Sequence, residues 1–400
     1  MRICIAGKND IAVRVLRLAL ERVEAADIVV LPNDYVPERN DWQLSLRQAA
    51  RELGVRQVSL AEVYDYPNLL FLSVEYADLV RPARFASPNL VNIHFSNLPQ
   101  YKGMHTSVWP VRNGEPQAGV TLHRIAPGID TGDIIAQRLF PLEQHHTSRD
   151  LYFNYMKYGY ELIAENFDQL LRAEYQAHQQ AVASSSYYAR QSVDYTQVKV
   201  NFRQSAWQVH NYVRAFAFPE YQLPHVLGWA LRGSELTQEP SGGKPGEVVR
   251  EDEFSLVVNT IDYNVRLLKD YSQQLFAAAQ VGDAVAAQLA ATRTHNLQAT
   301  NRQGWSALMI AAYHHHAEVV ASLVAAGADV NQANLNGTTV LMYAKDGALQ
   351  ADNDTRILSY LLAHGADINR PDARQKTVLD YCRANNNADL LAYLQSQGAR

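Results

Sequence analysis

Cysteine is scarce in this chain, with only two in 400 residues. Cys4 and Cys382 lie near opposite ends of the sequence, which excludes a framework of several disulfides and favours a reducing compartment. We therefore predict a cytoplasmic protein. Long apolar runs are missing as well. No stretch reaches the roughly 18 to 20 residues of a membrane span, and the apolar run at the start is too short for a signal peptide.

An excess of positive charge is also missing. The 36 lysines and arginines are outnumbered by 41 aspartates and glutamates, which gives a formal net charge of -5. Because no long basic run is present, neither a nucleic acid nor an anionic membrane is predicted as a partner. A small ligand is the better expectation, and 400 residues are enough for several domains.

The chain begins with a strand, a loop and a helix, predicted at residues 3–6, 7–10 and 11–20 from their hydrophobic periods. Further strands are predicted at residues 27–31, 69–74, 90–95 and 118–125, with a helix at 44–53. This alternation predicts an α/β fold with a Rossmann-like, mostly parallel sheet. The first loop has one glycine, Gly7, and not the Gly-x-Gly-x-x-Gly fingerprint, which argues against a nicotinamide cofactor.

A second pattern follows the α/β region. It predicts a small β-rich subdomain around a helix at residues 205–216. The predicted strands are residues 198–202, 247–249, 254–258 and 265–268. We predict domains at residues 1–183 (α/β domain), 184–270 (β-rich subdomain) and 271–400 (helical repeats).

The last part of the chain is repetitive. Residues 304–312 recur in similar form at 337–344, and the Gly-Ala-Asp triplet at 327–329 recurs at 365–367. The period resembles that of the ankyrin repeat, which implies an all-α solenoid over about residues 275–400. About three and a half units are predicted, the first of them reduced to its helix pair.

Trp305 occupies a position that is usually polar and exposed in ankyrin repeats. An exposed ring there could stack on the base of a nucleotide or on a partner protein. Packing against the first half of the chain is the alternative. The consecutive histidines at residues 314–316 point in different directions on a helix end, so no metal site is predicted from them.

The strongest chemical signal is Asn92-x-His94, followed downstream by Asp130-Thr131-Gly132. Residues two apart in a strand point to the same side, so the Asn92 amide and the His94 ring can both donate to one oxyanion. Asp130 can orient His94 and stabilise its protonated form, and one of the two could carry a proton. No metal ion is needed. Taken singly, each residue could instead be a turn, cap or structural residue.

With Ser96, Leu98-Pro99 and Tyr101-Lys102-Gly103, these residues resemble the signature of the N10-formyltetrahydrofolate-dependent formyltransferases. The resemblance implies formyl transfer to an amine, with N10-formyltetrahydrofolate as co-substrate. It also implies a folate pocket lined by Ser73 and Tyr76, at the end of the strand predicted for residues 69–74. Ser73 could equally cap a helix.

Residues 207–224 resemble the nucleotide-sugar formyltransferases that act on dTDP-linked amino sugars. The resemblance implies a dTDP-amino-dideoxyhexose as substrate, most closely dTDP-3-amino-3,6-dideoxy-D-glucose, for O-antigen or other surface polysaccharide, and it implies a homodimer. Tyr221 could stack on the pyrimidine, and Arg214 or Gln222 could meet phosphate or base edges. The 4-amino isomer is an alternative substrate. A non-catalytic adaptor that binds proteins through its ankyrin repeats is an alternative function.

Overall fold

The computed structural model describes residues 1–400, apart from the side chain of Val182. The chain divides into two compact units, one of residues 1–39 and 43–268 and the other of residues 40–42 and 269–400. Among the described residues, no helix is both long enough and apolar enough to cross a membrane.

Strands and helices alternate in the first part of the chain and helices alone follow in the last part. The strands are β1 (Arg2–Gly7), β2 (Ile28–Pro32), β3 (Arg56–Gln57), β4 (Leu69–Val74), β5 (Leu90–His94), β6 (Lys102–Gly103), β7 (Gln117–Arg124), β8 (Ile134–Pro141), β9 (Tyr187–Tyr188), β10 (His225–Val226), β11 (Trp229–Pro240), β12 (Val248–Glu251), β13 (Ser255–Val258) and β14 (Tyr263–Lys269). The helices are α1 (Asn9–Leu20), α2 (Leu46–Glu52), α3 (Leu60–Val63), α4 (Trp109–Asn113), α5 (Ser148–Arg172), α6 (Ala206–Ala215), α7 (Ser272–Val281), α8 (Ala284–Arg293), α9 (Ala307–Tyr313), α10 (Ala317–Ala325), α11 (Val340–Gln350), α12 (Arg356–Ala363), α13 (Val378–Ala384) and α14 (Ala388–Ser396). Single 3-10 turns lie at Ala25–Asp27, Pro82–Arg84, Val182–Ser184, Arg190–Ser192 and Tyr195–Gln197.

The main sheet has the order β3-β2-β1-β4-β5-β7-β8. Its first five strands are parallel, while β7 runs antiparallel to β5 and β8 antiparallel to β7. Strands β2 and β4 are buried along their whole length, as expected for parallel strands covered on both faces. The predicted α/β class with a mostly parallel sheet is therefore confirmed.

Several elements of the first unit were not predicted, and one predicted strand is wrong. The longest of the additions are strands β8 and β11 and helix α5. Residues 198–202 form no strand. Their alternating apolar side chains, Val200 and Phe202, pack on the core of the β-rich part without a partner strand. Alternation there reflects one buried face and not a ladder.

The β-rich part is an antiparallel sheet of order β10-β11-β14-β13-β12, against which α6 packs. Helix α6 begins with a capping box in which Ser205 accepts from the Gln208 backbone N–H and the Gln208 side chain accepts in return. Its buried face meets the inward side of the sheet in one cluster. That cluster contains Val209, Val213, Val226, Leu231, Leu256, Val258, Val265 and Leu267.

The second unit stacks the helix pairs α7–α8, α9–α10, α11–α12 and α13–α14 around one continuous apolar core. The predicted ankyrin solenoid is confirmed, and its first unit is a helix pair. Gly347 allows a close approach of α11 to α9, because a β-carbon at this position would lie 2.3 Å from the Ala312 carbonyl oxygen.

Candidate active site

The motif residues Asn92 and His94 lie at the carboxyl end of β5, where the sheet changes from parallel to antiparallel pairing. Such switch points are where open α/β sheets bind ligands. Asp130 lies in the connection between β7 and β8, with its backbone in the left-handed region at φ 52°. Its Oδ2 lies 3.5 Å from His94 Nδ1 and accepts a hydrogen bond of 2.8 Å from the Gly103 N–H. The structure thus brings the predicted trio together.

Both ring nitrogens of His94 face acceptors. Nε2 donates to the Tyr101 carbonyl oxygen at 2.9 Å, and Nδ1 faces the Asp130 carboxylate. A carbonyl oxygen only accepts, so Nε2 carries a hydrogen, and Nδ1 lies against the Asp130 carboxylate.

Asp130 is held as a carboxylate. Burial by itself raises the pKa of Asp130, but the charge of His94, a polar contact with His123 and the Gly103 N–H more than offset that effect, and the net pKa lies below its usual value. The side chain is 12% exposed, so solvent screens these contacts only weakly.

A second histidine, His123, completes the group, and the sequence reading did not identify it. It lies on β7 directly opposite Asn92 in the ladder and is buried. Its Nε2 lies 3.0 Å from Asn92 Nδ2 and 3.6 Å from Asp130 Oδ1. A histidine inside the apolar run of residues 118–125 was the available signal, but the pairing with Asn92 depends on strand register.

The loop that carries Asp130 is fixed from two sides. Gln180 Nε2 donates to the carbonyl oxygens of Asp130 and Gly132, both at 2.8 Å. Gly132 itself approaches β7 so closely that a β-carbon there would lie 1.7 Å from the Arg124 carbonyl oxygen. The requirement for glycine in the Asp130-Thr131-Gly132 motif is therefore steric.

Comparison with known proteins agrees with this geometry. A family model described as formyl transferase matches residues 49–166, and ankyrin repeat models match residues 255–334, 275–351 and 336–373. A solved N-formyltransferase from Helicobacter canadensis, in complex with folinic acid and dTDP-3-aminofucose, is 38% identical with a TM-score of 0.64, and the match covers 67% of this chain and 99% of that one. WlaRD, described as a sugar 3N-formyl transferase in the presence of dTDP and 5-N-formyl-THF, is 40% identical with the same TM-score, and the match covers 67% of this chain and 97% of that one.

The chain belongs to the sugar N-formyltransferase family. It is an enzyme of this kind, and a non-catalytic adaptor is not supported. More distant relatives include the methionyl-tRNA formyltransferase of Synechococcus, which is 29% identical over 217 residues, or 52% of this chain. The chain covers 65% of that relative's length.

In this sugar N-formyltransferase the two residues predicted to line a folate pocket lie at the end of β4, Ser73 within the strand and Tyr76 just after it. Ser73 is buried within β4 and pairs in register with Asn92, so Ser73, Asn92 and His123 form one row across three strands. A helix-cap role for Ser73 is excluded by this position. Tyr76 packs edge-on against Phe71 with ring centroids 6.4 Å apart. Burial and neighbouring Asp78, which accepts from its hydroxyl at 3.2 Å, raise the Tyr76 pKa.

Tyr221 is 44% exposed and lies near Lys8, a residue that the sequence reading missed. Lys8 follows β1 at the carboxyl edge of the sheet and lies 5.2 Å from the Tyr35 ring centroid. Burial lowers the Lys8 pKa, but Glu75 and the phenols of Tyr35 and Tyr221 outweigh it, and the net pKa is raised. The enzyme thus holds one cation beside the predicted base-stacking ring.

Arg214 is buried in helix α6. It is 2% exposed, and its guanidinium donates to the carbonyl oxygen of His146 at 2.8 Å and to the Asn211 side chain at 3.0 Å. The burial of this group lowers its pKa to about 10. Arg214 thus holds the connection before α5 to helix α6, and its contact with phosphate stays a prediction. Gln222 is half-buried and donates to the Phe216 carbonyl oxygen at 3.4 Å, so a contact of Gln222 with substrate stays a prediction.

Trp305 is half-buried within the ankyrin unit, and the prediction of an exposed ring is wrong. Its ring centroid lies 4.6 Å from that of Tyr343 and 5.3 Å from that of Tyr313, and it packs on the core of the solenoid. Binding of a second nucleotide-sugar molecule at Trp305 stays a prediction. In the described part of the chain, no group of three or more His, Cys, Asp or Glu side chains is arranged to hold a metal ion.

Proposed function

We propose that this enzyme transfers the formyl group of N10-formyltetrahydrofolate to the amine of a dTDP-linked amino-dideoxyhexose. The observation that carries the proposal is the convergence of Asn92, His94 and Asp130 at the switch point of the sheet. Support for the substrate class comes from the two solved relatives, whose structures contain dTDP-3-aminofucose or dTDP together with folate derivatives. We infer dTDP-3-amino-3,6-dideoxy-D-glucose as the preferred acceptor, for surface polysaccharide such as O-antigen.

In the reaction, the sugar amine attacks the formyl carbon and forms a tetrahedral oxyanion. The bond from that carbon to folate N10 then breaks, and a proton passes from the amine nitrogen to N10. Asn92 uses one amide hydrogen toward His123, so its second hydrogen remains to donate to the oxyanion. Protonated His94 supplies positive charge beside the same oxygen, and Asp130 holds that charge in place.

Substrate binding divides between two edges of this site. Ser73 and Tyr76 are proposed to line the folate side, since Ser73 pairs with Asn92 and Tyr76 follows β4. Lys8 is proposed to neutralise the diphosphate and Tyr221 to stack on the thymine, because the two lie together at the carboxyl end of β1. Domains of residues 1–183, 184–270 and 271–400, dimerisation through the β-rich subdomain and a cytoplasmic location complete the proposal.

The test is a mass-spectrometric assay for gain of one formyl group on a panel of amines. The panel contains dTDP-linked 3-amino and 4-amino dideoxyhexoses and methionyl-tRNA. We expect formylation of the 3-amino sugar with the highest kcat/KM, and a much lower but measurable kcat with Asn92→Ala. Preference for the 4-amino sugar would contradict the regiochemistry, and formylation of methionyl-tRNA alone would contradict the substrate class.

The variants Lys8→Met and Tyr221→Ala test whether these residues bind the nucleotide and take no part in the chemical step. Each is expected to raise KM for the dTDP-sugar by about ten-fold, as the loss of one charge-assisted contact or one ring stack implies, with a small change in kcat. Tyr221→Phe keeps the ring and is the matched control. A fall in kcat with unchanged KM would contradict the assignment.

A second nucleotide site at Trp305 has a separate test. Saturation binding of dTDP to the full chain is expected to show two sites, of which Trp305→Phe retains both and Trp305→Ala loses one. Binding of one ligand per chain, unchanged in Trp305→Ala, would remove this hypothesis.

A further inference from the structure

His123 is a buried histidine that contacts Asn92 and has no role in the reaction steps proposed above. Antiparallel pairing places it directly across from Asn92 on the neighbouring strand. Directly paired residues project from the same face of a sheet, so its ring and the Asn92 carboxamide meet. The ring is 2% exposed, and its position is set by the two central strands and not by a loop.

The hydrogen bonds of His123 fix which nitrogen carries the hydrogen. Nδ1 lies 2.8 Å from the carbonyl oxygen of Arg124, which only accepts, so Nδ1 is protonated. Nε2 lies 3.0 Å from the Asn92 amide nitrogen, which only donates. The distance from Nε2 to Asp130 Oδ1 is 3.6 Å, too long for a hydrogen bond. A neutral ring with hydrogen on Nδ1 is the tautomer that satisfies both contacts.

We infer that His123 is a positioning residue that orients the Asn92 carboxamide, so that the second amide hydrogen of Asn92 faces the oxyanion. An amide presents a nitrogen donor on one side and an oxygen acceptor on the other. If the amide turned over, it would present its oxygen to the oxyanion and repel it. The lone pair on His123 Nε2 accepts a hydrogen bond from the Asn92 amide nitrogen and would repel the Asn92 amide oxygen. This difference prevents the flip.

The two histidines beside Asp130 have different hydrogen-bond partners. His94 faces two acceptors, whereas His123 faces one acceptor and one donor. The titratable groups that face His123 in the described structure are Asp130, on the loop after β7, and His94, on β5. A hydrogen on Nε2 would point at the Asn92 amide nitrogen and break the bond between the two side chains.

The inference rests on the proposed function, and kinetics of matched variants test it with whichever amine the wild-type enzyme formylates. His123→Leu should lower kcat by roughly ten- to a hundred-fold with little change in either KM. His123→Gln, which offers an amide oxygen to Asn92, should recover most of that loss. In an Asn92→Ala background, His123→Leu should have no further effect on kcat. An equal loss in both backgrounds, or an effect on KM alone, would overturn the inference.

Nitrogen-15 NMR of histidine-labelled protein provides a readout that needs no substrate. The His123 resonances, assigned by their absence in His123→Gln, should show a neutral ring with hydrogen on Nδ1 at pH 7. Hydrogen on Nε2, or on both nitrogens, at that pH would overturn the inference even if His123→Leu failed to fold. This result does not depend on the substrate, so it distinguishes failure of the inference from failure of the proposed function.

Discussion

Asp130→Asn is the sharpest perturbation of the site, because it removes one charge and keeps the shape. The amide can still accept from the Gly103 N–H, which now bonds Oδ2 at 2.8 Å. Two unit charges at the 3.5 Å separation of His94 and Asp130 attract by about 5 kcal/mol at an effective dielectric constant of about 20. A neutral amide oxygen returns about 1 kcal/mol as a hydrogen bond. The net loss of about 3 to 4 kcal/mol predicts a fall in kcat of about 200- to 900-fold.

The assay is formyl transfer at saturating substrates, with circular dichroism and thermal unfolding measured on the same samples. The charged form of Asp130 also stabilises the fold. Its pKa is lowered in the folded state, so this stabilisation is present above the unfolded pKa near 3.8 and is lost as the pH falls below it. Asp133→Asn is the matched control, since Asp133 makes no ion pair with either histidine in the described structure. A folded Asp130→Asn variant with kcat within five-fold of wild type would refute the reasoning.

Three further predictions concern packing and pH. Gly132→Ala places a β-carbon against the Arg124 carbonyl oxygen and should lower both stability, by about 1 to 3 kcal/mol, and kcat; unchanged kcat would show that the loop tolerates the shift. Burial lowers the pKa of His210 from 6.5 to about 4. Between these pH values the unfolded chain binds a proton that the folded chain excludes, so the free energy of unfolding should fall as the pH is lowered from 6.5 to 4, by about 3 kcal/mol at most. Denaturant titrations should show this dependence weakened in His210→Gln; an identical pH profile would contradict it. Arg214→Met should lower stability by about 2 kcal/mol because it leaves carbonyl oxygens unpaired, with KM for the dTDP-sugar unchanged; a selective rise in that KM would support the phosphate role.

The catalytic trio could be predicted from sequence because its geometry is local. Asn92 and His94 share a strand face by alternation, and Asp130 is tied to its loop by Gly132. His123 could not be found in this way, since its pairing with Asn92 depends on how β7 registers against β5. That register follows from packing across the sheet and not from either strand alone.

Side-chain direction on helices and loops was harder to predict. Arg214 lies on a helix whose pattern leaves its burial ambiguous, and a charged residue without a carboxylate partner is rarely buried. Trp305 lies just before α9, and Tyr343 from the next repeat covers one side of its ring. The strand predicted for residues 198–202 shows the same limit, because alternation records a buried face and not the presence of a partner strand.

The residues that act on the formyl carbon and those that bind the acceptor lie on different kinds of structural element. Asn92 and His123 are anchored in paired strands of the main sheet, while Tyr221 stands in the short connection between α6 and β10. Exchange of that connection should change which nucleotide of the acceptor the enzyme binds without rebuilding its reaction centre. Substitutions in this connection can therefore change acceptor binding with little effect on the catalytic residues of the sheet.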